Sequence, residues 1–138
     1  IYGMSLALDE CQQNLQKEAS KLANLRDYFE STLLQNLPQV HIQGDRESRV
    51  SNTSNVLIEG VDGESLLFNL DLEGIAASAG AACESGSLDP SHVILAMGFS
   101  EAEAKASIRF SFDRSNTMEE VDRLLEVLSR LVFRLRKV

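Results

Sequence analysis

Two stretches whose apolar residues recur every three and four positions bracket this chain, so whatever lies between them has to pack against two long amphipathic helices. In the first stretch Leu8, Cys11, Leu15, Ala19, Leu22, Leu25, Phe29 and Leu33 fall on one helical stripe, and Pro38 ends the pattern beyond Leu37. In the second, Thr117-Met118-Glu119-Glu120 reads as a capping box. Val121, Leu124, Leu125, Leu128, Leu131, Val132 and Leu135 then keep helical spacing nearly to the end. Arg130, Arg134, Arg136 and Lys137 in the last turns complement the helix dipole and read as a solvated end, not a binding patch.

The middle holds short elements. Val40-His41-Ile42 and Asn55-Val56-Leu57-Ile58 read as strands separated by a polar loop. Asp62 is placed to cap a helix running through Leu66 and Leu70, and Gly74 to Ala77 reads as a brief strand. Pro90 suits the first turn of a helix capped by Asp89, and a second short helix spans Glu101 to Lys105. Ser107-Ile108-Arg109-Phe110-Ser111-Phe112 alternates strictly, with Ile108, Phe110 and Phe112 on one face. This order predicts an α+β two-layer domain, a small mainly antiparallel sheet with the long N- and C-terminal helices on one face and the other face free for a partner. With 138 residues, 43% of them apolar, one domain with a real core is expected, and neither repeat nor linker interrupts it.

Composition narrows the functional classes. Thirteen basic against twenty-one acidic side chains give a net charge of −8, which argues against nucleic acid and anionic membrane as partners. No apolar run approaches the roughly 18 residues of a membrane span, and no leader pattern follows Ile1. Two distant cysteines make neither a disulfide framework nor a metal site, so a reducing, cytoplasmic setting is expected. The absence of a Met before Ile1 points to a fragment.

Few residues are placed for chemistry. Cys83 sits among Gly, Ala and Ser, with no bulky neighbour in sequence to bury it, as a mobile nucleophile requires; the alternative is a small residue filling a turn. Cys11, on the helical stripe, reads as a buried core thiol. His41 reads as structural, and a Cys83–His92 dyad lacks a third group to orient the imidazole. Arg109 lies on the strand face opposite Ile108, Phe110 and Phe112, either solvated or aimed at an anion, for which its planar fork suits a carboxylate.

The tract from Ser78 to Val93, with Cys83 between Ala82 and Glu84, and the tract Ala106 to Arg114 resemble the C-terminal portion of a cysteine desulfurase of the long-loop type that serves iron–sulfur assembly. Arg49-Val50-Ser51-Asn52-Thr53-Ser54-Asn55 and Gly60-Val61-Asp62-Gly63-Glu64-Ser65-Leu66-Leu67 are similar to family segments in the same order, so the resemblance covers nearly the whole chain. Ala79, Ala81 and Asp113 depart from the commonest family pattern.

The resemblance implies that residues 1–138 are the small C-terminal domain of a fold-type I, class V aminotransferase-type enzyme. The complete protein would be a pyridoxal phosphate-dependent transferase that converts L-cysteine to L-alanine. By resemblance, Cys83 matches the catalytic nucleophile that carries the sulfur as a persulfide, and Arg109 matches the residue binding the substrate carboxylate. A sulfur-acceptor or iron–sulfur scaffold protein as partner, and a homodimer for the complete enzyme, are implied in the same way. The lysine that holds the cofactor normally follows a His, and none of Lys17, Lys21, Lys105 and Lys137 does. The large cofactor-binding domain is therefore expected to be absent, and the isolated chain to be inactive and without bound cofactor. Two other readings compete: a stand-alone persulfide carrier or interaction module without cofactor, and a purely structural domain in which Cys83 is inert.

Overall fold

The structure is a computed structural model that describes residues 1–79 and 90–136. Helix α1 (Tyr2–Asn36) is followed by strands β1 (Val40–Gln43) and β2 (Thr53–Ile58), helix α2 (Gly63–Leu72) and the two-residue strand β3 (Ser78–Ala79). Short helices α3 (His92–Ala96) and α4 (Glu101–Lys105), strand β4 (Ser107–Ser111) and helix α5 (Met118–Leu135) complete it. The strands form one sheet in the order β1-β2-β4-β3, with every pairing antiparallel. The expected α+β architecture is what is observed.

Local chemistry sets most of the boundaries. Pro38 excludes Leu37 from helical geometry, and Leu37 is accordingly extended (φ −120°, ψ 118°), ending α1. The Asp62 side chain accepts from the Ser65 backbone N–H and starts α2, as its position predicts. Gly63 follows immediately, and a Cβ there would stand 2.2 Å from the Lys105 carbonyl oxygen, so only glycine lets α2 approach the end of α4.

At α5 both halves of the capping box form: Thr117 accepts from the Glu120 N–H, and the Glu120 side chain accepts from the Thr117 N–H. Hydrogen bonding from Asn116 holds the Glu120 carboxyl below the usual carboxylate range. A carboxyl so lowered stabilises the fold above its unfolded-state pKa, and that contribution is lost as pH falls through its folded value. Thr117→Ala is expected to cost about 1 kcal/mol by chemical denaturation.

The core lies between the sheet and the helices. Phe29 of α1 is fully buried, with ring centroids 5.1 Å from Phe110 and 5.7 Å from Phe112 in tilted and edge-on geometry. Leu25 and Leu33 flank it, and Val121, Leu124, Leu125, Leu128, Leu131 and Val132 of α5 close the layer. Nothing on β4 contradicts its alternation: Ile108, Phe110 and Phe112 are all in the core.

Four expectations need correction. First, Cys11 is exposed, not buried, and Leu8 and Leu15 on the same stripe are 59% and 64% exposed. A helix of 35 residues is about 52 Å long, and only its second half, from Leu22 onward, meets the sheet and α5. Arg114, after β4, pairs with Glu10 at 3.0 Å, and Lys21 Nζ donates to the Arg114 carbonyl at 2.7 Å, so polar contacts replace apolar packing there. Cys11 is therefore expected to alkylate readily in the folded chain with iodoacetamide, read by peptide mass spectrometry, rather than to require denaturant. Second, the strand expected over Gly74–Ala77 is instead Ser78–Ala79, because the pairing partner on β4 fixes its place. Third, the sheet face away from α1 and α5 is not simply open, since Gln43, Leu57 and Ser107 are buried on it. Fourth, Pro90 does not stand in the first turn of a helix capped by Asp89: it precedes α3, whose N-cap is Ser91, and Asp89 itself lies outside the described residues.

One polar cluster ties the loop before β2 to α1. Arg49 donates through Nη1 and Nη2 to the two Glu30 oxygens, each at 2.7 Å, and Ser54 Oγ donates to Glu30 at 2.7 Å. Glu30 raises the Arg49 guanidinium further above its ordinary value. Beside it Arg26 Nη1 donates to the Val50 carbonyl at 2.7 Å. In the loop itself, Asp45 Oδ1 accepts from the Glu47 and Ser48 N–H groups, and these bonds lower its carboxyl pKa.

Candidate functional site

Because β4 buries Ile108 and Phe110 toward the helices, Arg109 between them faces the other side of the sheet, where it is half-buried. The register aligns it with Asn55 of β2 and Ser78 of β3, and Asn55 in turn with Gln43 of β1. Directly paired residues point to the same face, so Gln43, Asn55, Arg109 and Ser78 form one polar row across all four strands.

Arg109 differs from the other buried or half-buried arginines in having no carboxylate or carbonyl partner for its guanidinium; Arg46, also without one, is exposed to water. Arg26, Arg49, Arg114, Arg123 and Arg130 each hold a carboxylate or a backbone carbonyl. Arg109 Nε is shielded from water without a hydrogen-bond partner, and among the described residues no carboxylate pairs with the guanidinium. A half-buried cation with an unused planar donor fork is poised for a carboxylate or another planar oxyanion. The orphaned donor costs about 1–3 kcal/mol until a partner arrives.

Cys83 lies outside the described residues, as does the glycine-rich tract around it. The described chain leads toward it from Ala79, the last residue of β3, whose neighbour Ser78 pairs with Arg109. The structure thus describes one of the two site residues read from the sequence and does not describe the other. His92 opens α3 and is exposed. His41 is exposed and makes a 2.7 Å bond to Glu59, in keeping with a structural role. Asn55 is legible in sequence only as a strand residue, and Gln43 falls one residue past the strand read at Val40-His41-Ile42; their place beside Arg109 depends on register, which no local pattern encodes.

A groove of about 300 Å³ lies elsewhere, between the segment Gly74–Ala76, the end of β4 and α5. Its charged lining is already engaged: Glu120 serves the capping box, and Arg123 donates to the Glu73 carbonyl at 2.9 Å. Among the described residues no cluster of ligands could hold a metal ion, and no helix is long and apolar enough to cross a membrane.

A helix-flanked antiparallel sheet with an unpaired arginine on the face away from α1 and α5 fits the aminotransferase class of enzymes, and comparison with known proteins agrees. The Aminotransferase class-V family matches residues 1–124, and the chain belongs to that family. Within it the similarity is to cysteine desulfurases. A cysteine desulfurase of Gluconacetobacter diazotrophicus is 41% identical over 138 residues, covering the whole chain and 34% of the relative. The cysteine desulfurase NifS of Azotobacter vinelandii is 39% identical, with 100% and 34% covered. The cysteine desulfurase IscS of Clostridium botulinum is 38% identical, with 100% and 35% covered. Among solved structures, a NifS-like protein superposes with a TM-score of 0.82 at 28% identity, over 96% of this chain and 33% of that one. A NifS-like protein from Rickettsia africae gives 0.75 at 28% identity, over 88% and 31%. The chain spans about a third of the length of the curated relatives it matches.

Proposed function

We propose that residues 1–138 are the C-terminal small domain of a pyridoxal phosphate-dependent cysteine desulfurase that converts L-cysteine to L-alanine. In this reading Arg109 binds the α-carboxylate of L-cysteine and fixes the substrate's orientation. Cys83 attacks the substrate sulfur as a thiolate: a sulfur–sulfur bond forms, the carbon–sulfur bond breaks, and the carbon takes up a proton to leave L-alanine. The balance is one L-cysteine and one thiol giving one L-alanine and one persulfide, with no external oxidant or reductant. The persulfide then serves iron–sulfur cluster assembly or another sulfur-transfer pathway through an acceptor protein. A homodimer and a cytoplasmic setting belong to the same reading.

The observation that carries it is the unpaired guanidinium of Arg109, adjacent in the sheet to the strand from which the chain leads to Cys83. The whole-chain similarity to cysteine desulfurases supports it. Pyridoxal phosphate, when bound to the complete protein, supplies the electron sink for breaking the carbon–sulfur bond. The described residues fit a carboxylate rather than the cofactor itself. No lysine stands in the row beside Arg109, and Lys21 Nζ is bonded to the Arg114 carbonyl. The residues that hold the cofactor are accordingly assigned to the rest of the protein, and the isolated chain should turn over no L-cysteine.

The test is mass spectrometry on the complete protein after brief exposure to L-cysteine. The peptide containing Cys83 should gain one sulfur atom, removed by a reductant, while alanine appears in equal amount at first turnover. Alanine production with Cys83 unmodified, or with the sulfur on Cys11, would overturn the assignment.

A further inference from the structure

Five buried side-chain atoms among the described residues lack any hydrogen-bond partner; one is Arg49 Nε, and the other four belong to the row on the sheet face away from α1 and α5: Gln43 Nε2 and Oε1, Asn55 Oδ1 and Arg109 Nε. Gln43 is only 5% exposed. Buried polar atoms are nearly always paired, so four orphans on three neighbouring strands mark a place built for something else. Adjacent strands lie about 4.8 Å apart, which puts each of these side chains within reach of the next.

We infer that Asn55 is a second carboxylate-binding residue beside Arg109, and that Gln43 is the positioning residue that sets the direction of the Asn55 amide. A planar carboxylate seated on the Arg109 fork uses two of its roughly four acceptor positions. The Asn55 Nδ2 group donates to a third. For that the Asn55 carbonyl has to turn away from the ligand, and Gln43 Nε2, its cross-strand neighbour, donates to Oδ1 and holds it there. One ligand thus satisfies Arg109 Nε and, through the turned amide, Asn55 Oδ1 and Gln43 Nε2. Gln43 Oε1 is the one orphan this arrangement does not use. The inference rests on the reading of Arg109 as the carboxylate residue and adds to it what the rest of the row does.

The experiment is a titration of the ¹⁵N-labelled chain with sodium acetate, with sodium chloride at matched ionic strength as reference. It follows the arginine Nε–H resonances, that of Arg109 being assigned by its loss in Arg109→Lys. Acetate, and not chloride, should shift the Arg109 resonance saturably, with a Kd of roughly millimolar order. Asn55→Ala should weaken binding by about tenfold or more. Gln43→Leu, which keeps the bulk and removes the amide, should weaken it by about three- to tenfold. Asn55→Asp keeps the size and can pair with Arg109 but repels the ligand, so it should abolish the acetate shift in a chain that remains folded. Equal acetate affinity in the wild type, Asn55→Ala and Gln43→Leu would overturn the assignment of the row while leaving Arg109 as the anion site. Absence of an acetate shift in the wild type would overturn both.

Discussion

Replacing Glu30 with leucine is expected to lower the stability of the chain by about 3–5 kcal/mol, because it takes the two-point partner from a largely buried guanidinium and leaves it only the exposed Asp27 at 3.8 Å. The Glu30 and Arg49 side chains are 7% and 14% exposed, and Arg49 reaches both Glu30 oxygens in a two-point contact. Ser54 Oγ also loses its acceptor. For a domain whose whole stability is of order 5–15 kcal/mol, this is at least about a fifth of the total, and the melting temperature should fall by roughly 10–15 °C. The double replacement Glu30→Leu with Arg49→Met should recover most of the loss, since removing both charges removes the desolvation penalty along with the attraction. Urea unfolding of the two variants beside the wild type checks this. If the double variant were as unstable as the single one, the loss would come from packing and not from the unpaired charge.

The position of this pair explains what the sequence could and could not reveal. Helix α5 and its cap are local: seven apolar positions at steps of three and four, preceded by Thr117 and Glu120, dictate it within eighteen residues. The same holds for α4 and for the alternation on β4. The stripe on α1 is equally regular, yet it misplaces Cys11, because periodicity reports which face a residue occupies and not how far the rest of the domain extends along the helix. β3 is two small residues with no apolar pattern, and it exists only where β4 offers a partner. The contacts between Glu30 and Arg49 span 19 positions, and those aligning Gln43, Asn55 and Arg109 cross three strands. Such pairings are fixed by register, to which the sequence contributes one residue at a time from distant places. Arg109 was accessible because both its strand face and its chemical type are local facts; the companions that complete its row were not.

The contrast between the two arginines leads to the second large effect. Both arginines have a buried Nε without a partner, but Arg49 holds Glu30 through Nη1 and Nη2 and belongs to the fold, whereas Arg109 has no carboxylate partner among the described residues. Arg109→Leu is therefore expected to leave the melting temperature of the chain unchanged or raise it, because it removes a half-buried cation that nothing in the fold compensates. In the complete protein the same substitution should lower kcat/KM for L-cysteine by about a hundredfold to ten-thousandfold, the cost of losing two charge-assisted hydrogen bonds to the substrate carboxylate. Arg109→Lys should recover only a small part of that activity, since it restores the charge and not the planar fork. Steady-state kinetics of the complete protein and thermal unfolding of the chain separate the alternatives. Loss of activity with retained stability identifies a residue held for a ligand at the expense of the fold. Loss of stability in parallel with activity would mean that the guanidinium supports the sheet, and the carboxylate assignment would fail.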